Sequence, residues 1–189
     1  MKTIRENYEN EIIIKNSRFI CYLIRLDSSD INGILTNIKN LHPKATHYCY
    51  GYIFDEDKKS SDDGEPGGTA GLPILNVLEK EGINHILAIV VRYFGGIKLG
   101  AGGLVRAYTK SITETLKISE YIELIKGFKI SLTFNYQDEK TVNYILNDMN
   151  IVNKRYDQDI YYEAFVDQNT LDKLKQFNPV IIMKTYIEK

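Results

Sequence analysis

The 189-residue sequence has only two cysteines, Cys21 and Cys49, and it has no long apolar segment. Two cysteines cannot build a disulfide framework, and such scarcity is typical of a protein from a reducing compartment. No apolar run approaches the ~20 residues that a membrane-spanning helix needs, and the first residues lack the apolar core of a signal peptide. From these absences we expect a cytoplasmic protein that has no membrane partner.

The sequence also lacks an excess of either charge. Its 24 Lys and Arg residues stand against 25 Asp and Glu residues, for a net charge of −1. This balance excludes a broadly polycationic nucleic-acid coat. The histidines and cysteines show no metal-ligand spacing, and neither a Ser-His-Asp arrangement nor a nucleophile elbow is visible. We therefore expect no catalytic residue, no metal and no cofactor, and we favour a protein that is not an enzyme.

Glycine, by contrast, is concentrated in one window. Ten of the 13 glycines lie between residues 64 and 103. Because glycine is retained where the backbone needs a positive φ or a close approach, function is first sought in this window. It holds two blocks of opposite charge: residues 55–65 carry six acidic residues and two lysines, and residues 89–110 carry four basic residues and no acidic one.

The basic block predicts a buried strand over residues 85–94, a glycine-rich turn, and a helix that starts near Gly103. Such a turn offers free backbone N–H groups and the positive end of a helix dipole, which suit phosphate. The block lacks the Gly-Lys-Ser/Thr of a P-loop and the third glycine of a dinucleotide fingerprint. A turn that only packs helix against strand is an equally weighted alternative. The candidate residues for binding nucleic acid or phosphate are Arg92, Lys98, Gly100, Gly102, Gly103, Arg106 and Lys110.

The acidic block allows three interpretations. Asp62, Asp63 and Glu65 could hold a hard cation such as Mg²⁺, but a solvated loop that leads into the next helix is favoured over that metal site. In the third interpretation the loop pairs with the basic block and fixes the glycine turn. The helix is expected over about residues 70–80, with Thr69 as its candidate cap. The residues of this acidic loop that we single out are Asp62, Asp63, Glu65, Gly67 and Thr69.

The rest of the first half predicts mixed strands and helices. Residues 12–14 and 18–26 are expected to form a hairpin, and a helix follows with Ser29 or Asp30 as its N-cap. Residues 47–54 alternate as a strand, and we expect its aromatic side to belong to the core rather than to an exposed base-stacking surface. The helix after the glycine turn should bury one stripe of side chains. That stripe is Leu104, Val105, Tyr108, Ile112 and Leu116.

The last ~65 residues show the order β-α-β-β-α-β, which is the ferredoxin-like pattern. The boundary is expected near residues 125–127, which gives domains at 1–124 and 125–189, and both are close to neutral. The predicted elements are strands at 126–136, about 150–157, 159–167 and 180–187, and helices at 138–149 and near 170–177.

Two long segments resemble the signature blocks of the IMPACT / YigZ family. They are SDDGEPGGTAGLPIL at residues 61–75 and VVRYFGGIKLGAGGLVRAY at residues 90–108. The resemblance covers about residues 15–120. It implies an α+β protein whose N-terminal domain has the fold of ribosomal protein S5 domain 2. The C-terminal ferredoxin-like domain is similar to a domain of elongation factor G.

The resemblance also carries a functional expectation. Eukaryotic members of the family have an additional RWD domain and regulate translation by binding the activator of an initiation factor 2 kinase. Since the signature region begins near Lys15, we expect a bacterial-type, two-domain member without that domain. With the basic block, this predicts a non-enzymatic protein that binds RNA or the ribosome and regulates translation. The alternatives are a protein-interaction module with a translation-related partner and a Mg²⁺-dependent phosphate or nucleotide enzyme.

Overall fold

The computed structural model describes residues 1–27 and 30–189, and the chain divides into two compact units, Met1–Ile122 and Glu123–Lys189. This division lies two residues before the boundary expected from the sequence. The elements of the first unit are β1 (Lys2–Ile4), β2 (Tyr8–Ile14), β3 (Ser17–Arg25), α1 (Ile31–Leu41), β4 (His47–Phe54), β5 (Asp57–Ser61), α2 (Gly71–Lys80), β6 (Ile86–Tyr93) and α3 (Ala101–Lys117).

An antiparallel sheet organises the first unit, with its five strands in the order β2-β3-β6-β4-β5. The central strand β6 is buried along residues 86–92 because helices cover both faces of the sheet. The cluster that contains α2 and α3 lies on one face, and the cluster that contains α1 lies on the other. This burial explains the continuous apolar run of β6, and the strand leads directly into the glycine turn before α3.

The start of the first unit follows the expected turn and cap chemistry. Strands β2 and β3 form an antiparallel hairpin, and Lys15 and Asn16 take the positive φ values, 45° and 64°, of a two-residue hairpin turn. Helix α1 is capped by Asp30, whose carboxylate accepts a hydrogen bond from the Gly33 N–H at 3.1 Å. The other candidate cap, Ser29, lies outside the described residues.

Strand β4 confirms that its aromatic side belongs to the core. Tyr52 is buried in the cluster on the α1 side, where the other aromatic residues of the strand also pack. Gly51 lies on the opposite side, and a Cβ added to it would come within 3.0 Å of the backbone nitrogen of Leu75 in α2. The absence of a side chain at this position therefore lets the helix approach the sheet closely.

Two details of the helices differ from the sequence-based expectation. Helix α2 is not capped by Thr69, because the Ala70 and Gly71 N–H groups at its start donate to the Asp62 carboxylate. The Thr69 hydroxyl donates to the Pro66 carbonyl at 2.6 Å. Helix α3 starts at Ala101, two residues earlier than expected. Val105 is 36% exposed, because a step of one residue moves it about 100° around the helix from the buried Leu104. The other residues of the predicted stripe are buried.

The second unit has the ferredoxin-like order of elements, which confirms the expected α+β fold class. Its antiparallel strands lie in the order β10-β7-β9-β8, and its apolar core includes residues from both α4 and α5. The helix predicted over residues 138–149 is shorter in the structure, where α4 covers Glu139–Ile145. Among the described residues, no helix is both long enough and apolar enough to cross a membrane. The elements are β7 (Tyr121–Phe134), α4 (Glu139–Ile145), β8 (Asn150–Tyr156), β9 (Ile160–Asp167), α5 (Gln168–Leu174) and β10 (Val180–Glu188).

Candidate functional site

A buried ion pair joins the acidic block to the basic block. The Arg92 Nη1 donates to the Glu65 Oε1 at 2.5 Å, and the two side chains are only 6% and 4% exposed. Arg92 lies on the central strand β6, and Glu65 lies in the loop that precedes α2. The third interpretation of the acidic loop, that it pairs with the basic block, is confirmed for this pair.

Besides Arg92, two polar side chains lie close to the Glu65 carboxylate, and a third contacts one of these two. The Tyr108 hydroxyl of α3 donates to its Oε1 at 2.8 Å, and the His47 Nε2 lies 3.9 Å from its Oε2. The Cys49 Sγ lies 3.3 Å from the Tyr108 hydroxyl oxygen. Burial is the main reason that the pKa of Cys49 rises to about 12. The thiol is therefore protonated at neutral pH and is a poor nucleophile.

The Arg92 guanidinium is enclosed on its remaining sides as well. The Arg92 Nη2 lies 3.5 Å from the Ser17 Oγ, which also accepts from the Gly95 N–H at 3.1 Å. Its central carbon lies 5.4 Å from the Phe19 ring centroid and 5.6 Å from that of Phe94. The Arg92 Nε has no hydrogen-bond partner among the described residues, but the side chain is only 6% exposed, so a phosphate in the solvent cannot reach it. We therefore leave Arg92 out of the residues that could bind phosphate.

The Asp62 carboxylate organises the start of α2. Its Oδ1 accepts from the backbone N–H groups of Ala70 and Gly71 at 2.9 and 2.8 Å, and its Oδ2 accepts from the Gly68 N–H at 2.8 Å. Asp62 thus takes the role that the sequence analysis gave to Thr69. Burial by itself would raise the pKa of Asp62, but the three N–H donors outweigh it and hold the pKa below its usual value.

The Asp63 carboxylate is also used inside the protein. Its Oδ2 accepts from the Tyr48 N–H at 2.7 Å, and its backbone carbonyl lies 2.8 Å from the His47 Nδ1. Protein donors therefore engage all three carboxylates that a Mg²⁺ site in this loop would need. Across residues 1–27 and 30–189, no group of three or more His, Cys, Asp or Glu side chains is placed to hold a metal ion. This arrangement does not favour the Mg²⁺-dependent alternative.

Three cations of the basic block remain at the surface. Lys98 in the glycine turn and Arg106 and Lys110 on α3 are exposed. In the part of the chain that the structure describes, none of the three takes part in an ion pair. Arg106 and Lys110 are one helical turn apart and therefore share a side of α3. The exposed charge of this block is positive, because three of its four cations are exposed and it contains no acidic residue.

The glycines of the turn serve different purposes. A Cβ on Gly95 would come within 2.1 Å of the Asn16 backbone, so this glycine is needed for close packing. Gly100 has a φ of 70° and precedes α3, whose N-terminus has no side-chain cap. A Cβ on Gly102 would meet only the Arg106 Nη1, at an ordinary 3.6 Å. Nothing in the described packing requires glycine at position 102, although it costs a helix up to about 1 kcal/mol relative to alanine.

The two remaining candidate glycines also differ. Gly103 lies in the first turn of α3, and a Cβ there would come within 3.1 Å of the Leu99 Cβ, so close packing contributes to its presence. Gly67 lies exposed in the acidic loop, and a Cβ there would have open space within 4 Å. Of these two glycines, only Gly103 therefore contributes to the packing of the turn.

Comparison with known proteins identifies the family of this chain. The family model described as the Impact N-terminal domain matches residues 15–116, which include both blocks and every candidate residue. The chain belongs to the IMPACT family. The IMPACT family member YvyE of Bacillus subtilis is 36% identical over 93% of this chain and 83% of its own length. An IMPACT family member of Haemophilus influenzae is 34% identical over 87% of this chain and 83% of its own.

A solved structure extends the similarity to the whole chain. A crystal structure of a hypothetical protein matches with a TM-score of 0.69 and 28% sequence identity, covering 96% of this chain and 97% of that one. The two-sheet α+β architecture of this IMPACT family chain therefore has a counterpart in a solved structure.

Apart from Gly67 and Gly103, the residues that the sequence analysis selected separate into an internal and an exposed group. The internal group holds the two blocks together, and the exposed group forms what we call the basic surface. Sequence analysis missed four apolar side chains that are exposed in the same signature blocks. The sequence does indicate two of them, Phe94 and Ile97, because apolar residues are unusual in a glycine-rich turn, where polar residues are common. The internal residues are Asp62, Asp63, Glu65, Thr69 and Arg92; the basic surface comprises Lys98, Gly100, Gly102, Arg106 and Lys110; the missed side chains are Leu72, Phe94, Ile97 and Val105.

Proposed function

We propose that this protein is a non-enzymatic regulator of translation that binds RNA or the ribosome through the basic surface. One observation carries the proposal: the Asp62, Asp63 and Glu65 carboxylates are satisfied internally, while Lys98 and Arg106 are exposed near the uncapped N-terminus of α3 and Lys110 is exposed one turn beyond Arg106. Free N–H groups and the positive end of a 17-residue helix attract phosphate oxygens. Cations in contact with phosphates supply most of the sequence-independent affinity for nucleic acids.

Gly102 supports the same proposal. It lies in the first turn of α3, where a side chain would stand between the free N–H groups and an approaching phosphate. The Arg106 guanidinium reaches back to this position, since its Nη1 is the atom nearest to a Cβ on Gly102. A phosphate that approached the helix here would meet backbone donors and a guanidinium together.

The link to translation rests on the family. This chain is similar to eukaryotic relatives that carry the name IMPACT, and the family resemblance implies that such members regulate translation. RNA and the ribosome are the translation components whose phosphate backbone would be complementary to the basic surface.

The proposal is tested by filter binding of RNA over a range of salt concentrations, together with co-sedimentation with ribosomes. The affinity of the wild type should fall steeply with salt, and Arg106→Gln should reduce the slope of log K against log salt by about 0.7 if the RNA is single-stranded. Gly102→Ala should weaken binding while the fold is kept or stabilised. Lys80→Gln is the matched control, because Lys80 is exposed at the far end of α2.

Two results would contradict the proposal. One is the absence of any RNA or ribosome binding at low salt. The other is equal binding by the wild type, Arg106→Gln and Gly102→Ala, because binding would then not depend on the N-terminal turn of α3.

A protein-interaction module is the second candidate function. It is favoured by Phe94 and Ile97, which are exposed three residues apart in the glycine turn, since neighbouring exposed apolar side chains mark interaction surfaces. An affinity pull-down with and without nuclease separates the two candidates. A partner that survives nuclease treatment and is lost with Arg106→Glu would favour the protein partner.

A further inference from the structure

The most unusual exposed side chain in the glycine turn is Phe94. It follows the last residue of β6, and it is 46% exposed. The guanidinium carbon of Arg92 lies over its ring, 5.6 Å from the centroid. Because the buried guanidinium covers one face of the ring, the exposed area belongs to the opposite face and to the edge.

The backbone on both sides of this ring is fixed. The Phe94 N–H donates to the Thr46 Oγ1 at 3.0 Å, and the Gly95 N–H donates to the Ser17 Oγ at 3.1 Å. Gly95 also packs directly against the backbone of Asn16. An aromatic side chain on an anchored backbone loses little conformational entropy when a ligand covers it. The fold therefore fixes the position of Phe94 and leaves part of its ring without contact to the described residues.

The surroundings of Phe94 indicate the chemistry of that contact. Lys98 follows four residues later, so the two Cα atoms lie within about 14 Å of each other, and the uncapped α3 N-terminus follows at once. Proteins that bind unpaired nucleic acid combine cations along the phosphate backbone with aromatic rings that stack on the bases. Bases in a duplex are already stacked on one another and offer no free face to such a ring.

We propose that Phe94 stacks on an unpaired base of RNA held at the basic surface, so that the ligand of this surface is single-stranded rather than duplex RNA. This inference rests on the proposed function and specifies its ligand. An acidic protein segment would also be attracted to the exposed cations. Its carboxylates could also accept from the free N–H groups of α3, but they would leave the exposed ring of Phe94 unused, whereas a nucleobase stacks on it.

The absence of tryptophan from the chain makes a direct test available. Phe94→Trp introduces a single indole at this position, and its fluorescence should be quenched when a base stacks on it. The titrants are single-stranded oligo(U), a blunt RNA duplex of equal length, inorganic polyphosphate and poly-glutamate. We expect quenching by oligo(U) and not by the other three. Tyr144→Trp is the matched control, because Tyr144 is 84% exposed in the second unit and should show no quenching.

The affinity of Phe94→Ala provides the second arm of the test. Loss of one stacked base should weaken oligo(U) binding about 5- to 150-fold, which corresponds to about 1–3 kcal/mol. Binding of the duplex should be weaker in the wild type and should change less than about twofold in this variant. Phe94→Tyr should retain the affinity of the wild type, and thermal melting verifies that each variant is folded.

The outcomes distinguish this inference from the proposed function. If Arg106→Gln weakens RNA binding and Phe94→Ala does not, the stacking inference is refuted while the basic surface stands. Quenching by poly-glutamate as strong as that by oligo(U) would also refute it, and would point to an acidic protein segment. If the wild type binds no RNA at low salt, both proposals fail together.

Discussion

The buried pair of Glu65 and Arg92 leads to a strong prediction about stability. Glu65→Leu leaves the Arg92 guanidinium, which is 6% exposed, without its carboxylate, and it removes the acceptor of the Tyr108 hydroxyl. Removing one partner of a buried ion pair costs about 3–5 kcal/mol, and losing the hydrogen bond from the Tyr108 hydroxyl to a charged carboxylate costs a further ~1.5–3 kcal/mol. These costs overlap, so we expect the free energy of unfolding of the first unit to fall by at least about 4 kcal/mol.

The assay should report on the first unit alone, because the two units need not unfold together. Amide hydrogen exchange along β6 meets this need, since the central strand opens only when its sheet opens. The double variant Glu65→Leu with Arg92→Leu should recover most of the loss, because an apolar replacement of a buried ion pair is often neutral. Glu114→Ala is the control: its pair with Lys117 is exposed on α3, and the change should stay below about 1 kcal/mol.

Two results would refute this reasoning. A loss below about 1 kcal/mol for Glu65→Leu would mean that the guanidinium reaches water or another acceptor when its partner is removed. A double variant whose loss equals the sum of the two single losses would mean that the two side chains are not coupled. In either case the pair would not be what holds the acidic block to the basic block.

Two further predictions concern the internal group and the turn. The pKa of Asp62 is lower in the folded than in the unfolded state, so its stabilising contribution should be complete above about pH 5 and be lost as the pH falls through about 3.9 and then through the lower folded value. Asp62→Asn should reduce the free energy of unfolding at pH 7, and in this variant the free energy of unfolding should fall less steeply below pH 5 than in the wild type. Urea denaturation measures both, and a variant whose free energy of unfolding depends on pH as that of the wild type does would contradict this prediction. Gly95→Ala should lower the melting temperature sharply, with a loss of at least about 2 kcal/mol, because its Cβ would meet the Asn16 and Ser17 backbone at 2.1–2.4 Å. Gly102→Ala is the control, and a Gly95→Ala variant that melts with the wild type would show that the hairpin turn can move aside.

Sequence patterns predicted most of the fold because local rules and burial agree in this chain. The β2–β3 hairpin could be predicted from two turn residues that lie between β-branched segments. Strand β6 could be predicted from its continuous apolar run. The family resemblance added the fold of the first domain. Errors arose at the helix ends: α2 is capped by Asp62, nine residues before its first residue Gly71, and a local rule that considers the preceding residue selects Thr69 instead. A cap that lies so far away in sequence can be recognised only when the conformation of the loop between Asp62 and Gly71 is known.

The candidate site was predicted less completely, for an electrostatic reason. The sequence shows that Arg92, Lys98 and Arg106 lie in one block, but not which of them faces inward. Position on the central strand β6 buries Arg92 against Glu65, whereas the turn and α3 leave the other two exposed. Phe94 was missed because an aromatic residue beside a buried strand is normally assigned to the core. Its exposure follows from the end of β6 at Tyr93 and from the anchoring of the next two N–H groups by Thr46 and Ser17.

The positive charge of the basic surface is a consequence of the fold rather than of composition. The first 124 residues carry 15 basic and 16 acidic residues, and they would not attract a polyanion as an unfolded chain. Folding turns the Asp62, Asp63 and Glu65 carboxylates toward protein donors and leaves Lys98 and Arg106 exposed. The buried charges contribute to stability, and in the proposed function the exposed charges contribute to RNA binding. We therefore expect changes at Glu65 to alter the free energy of unfolding, and changes at Arg106 to alter RNA affinity while stability stays unchanged.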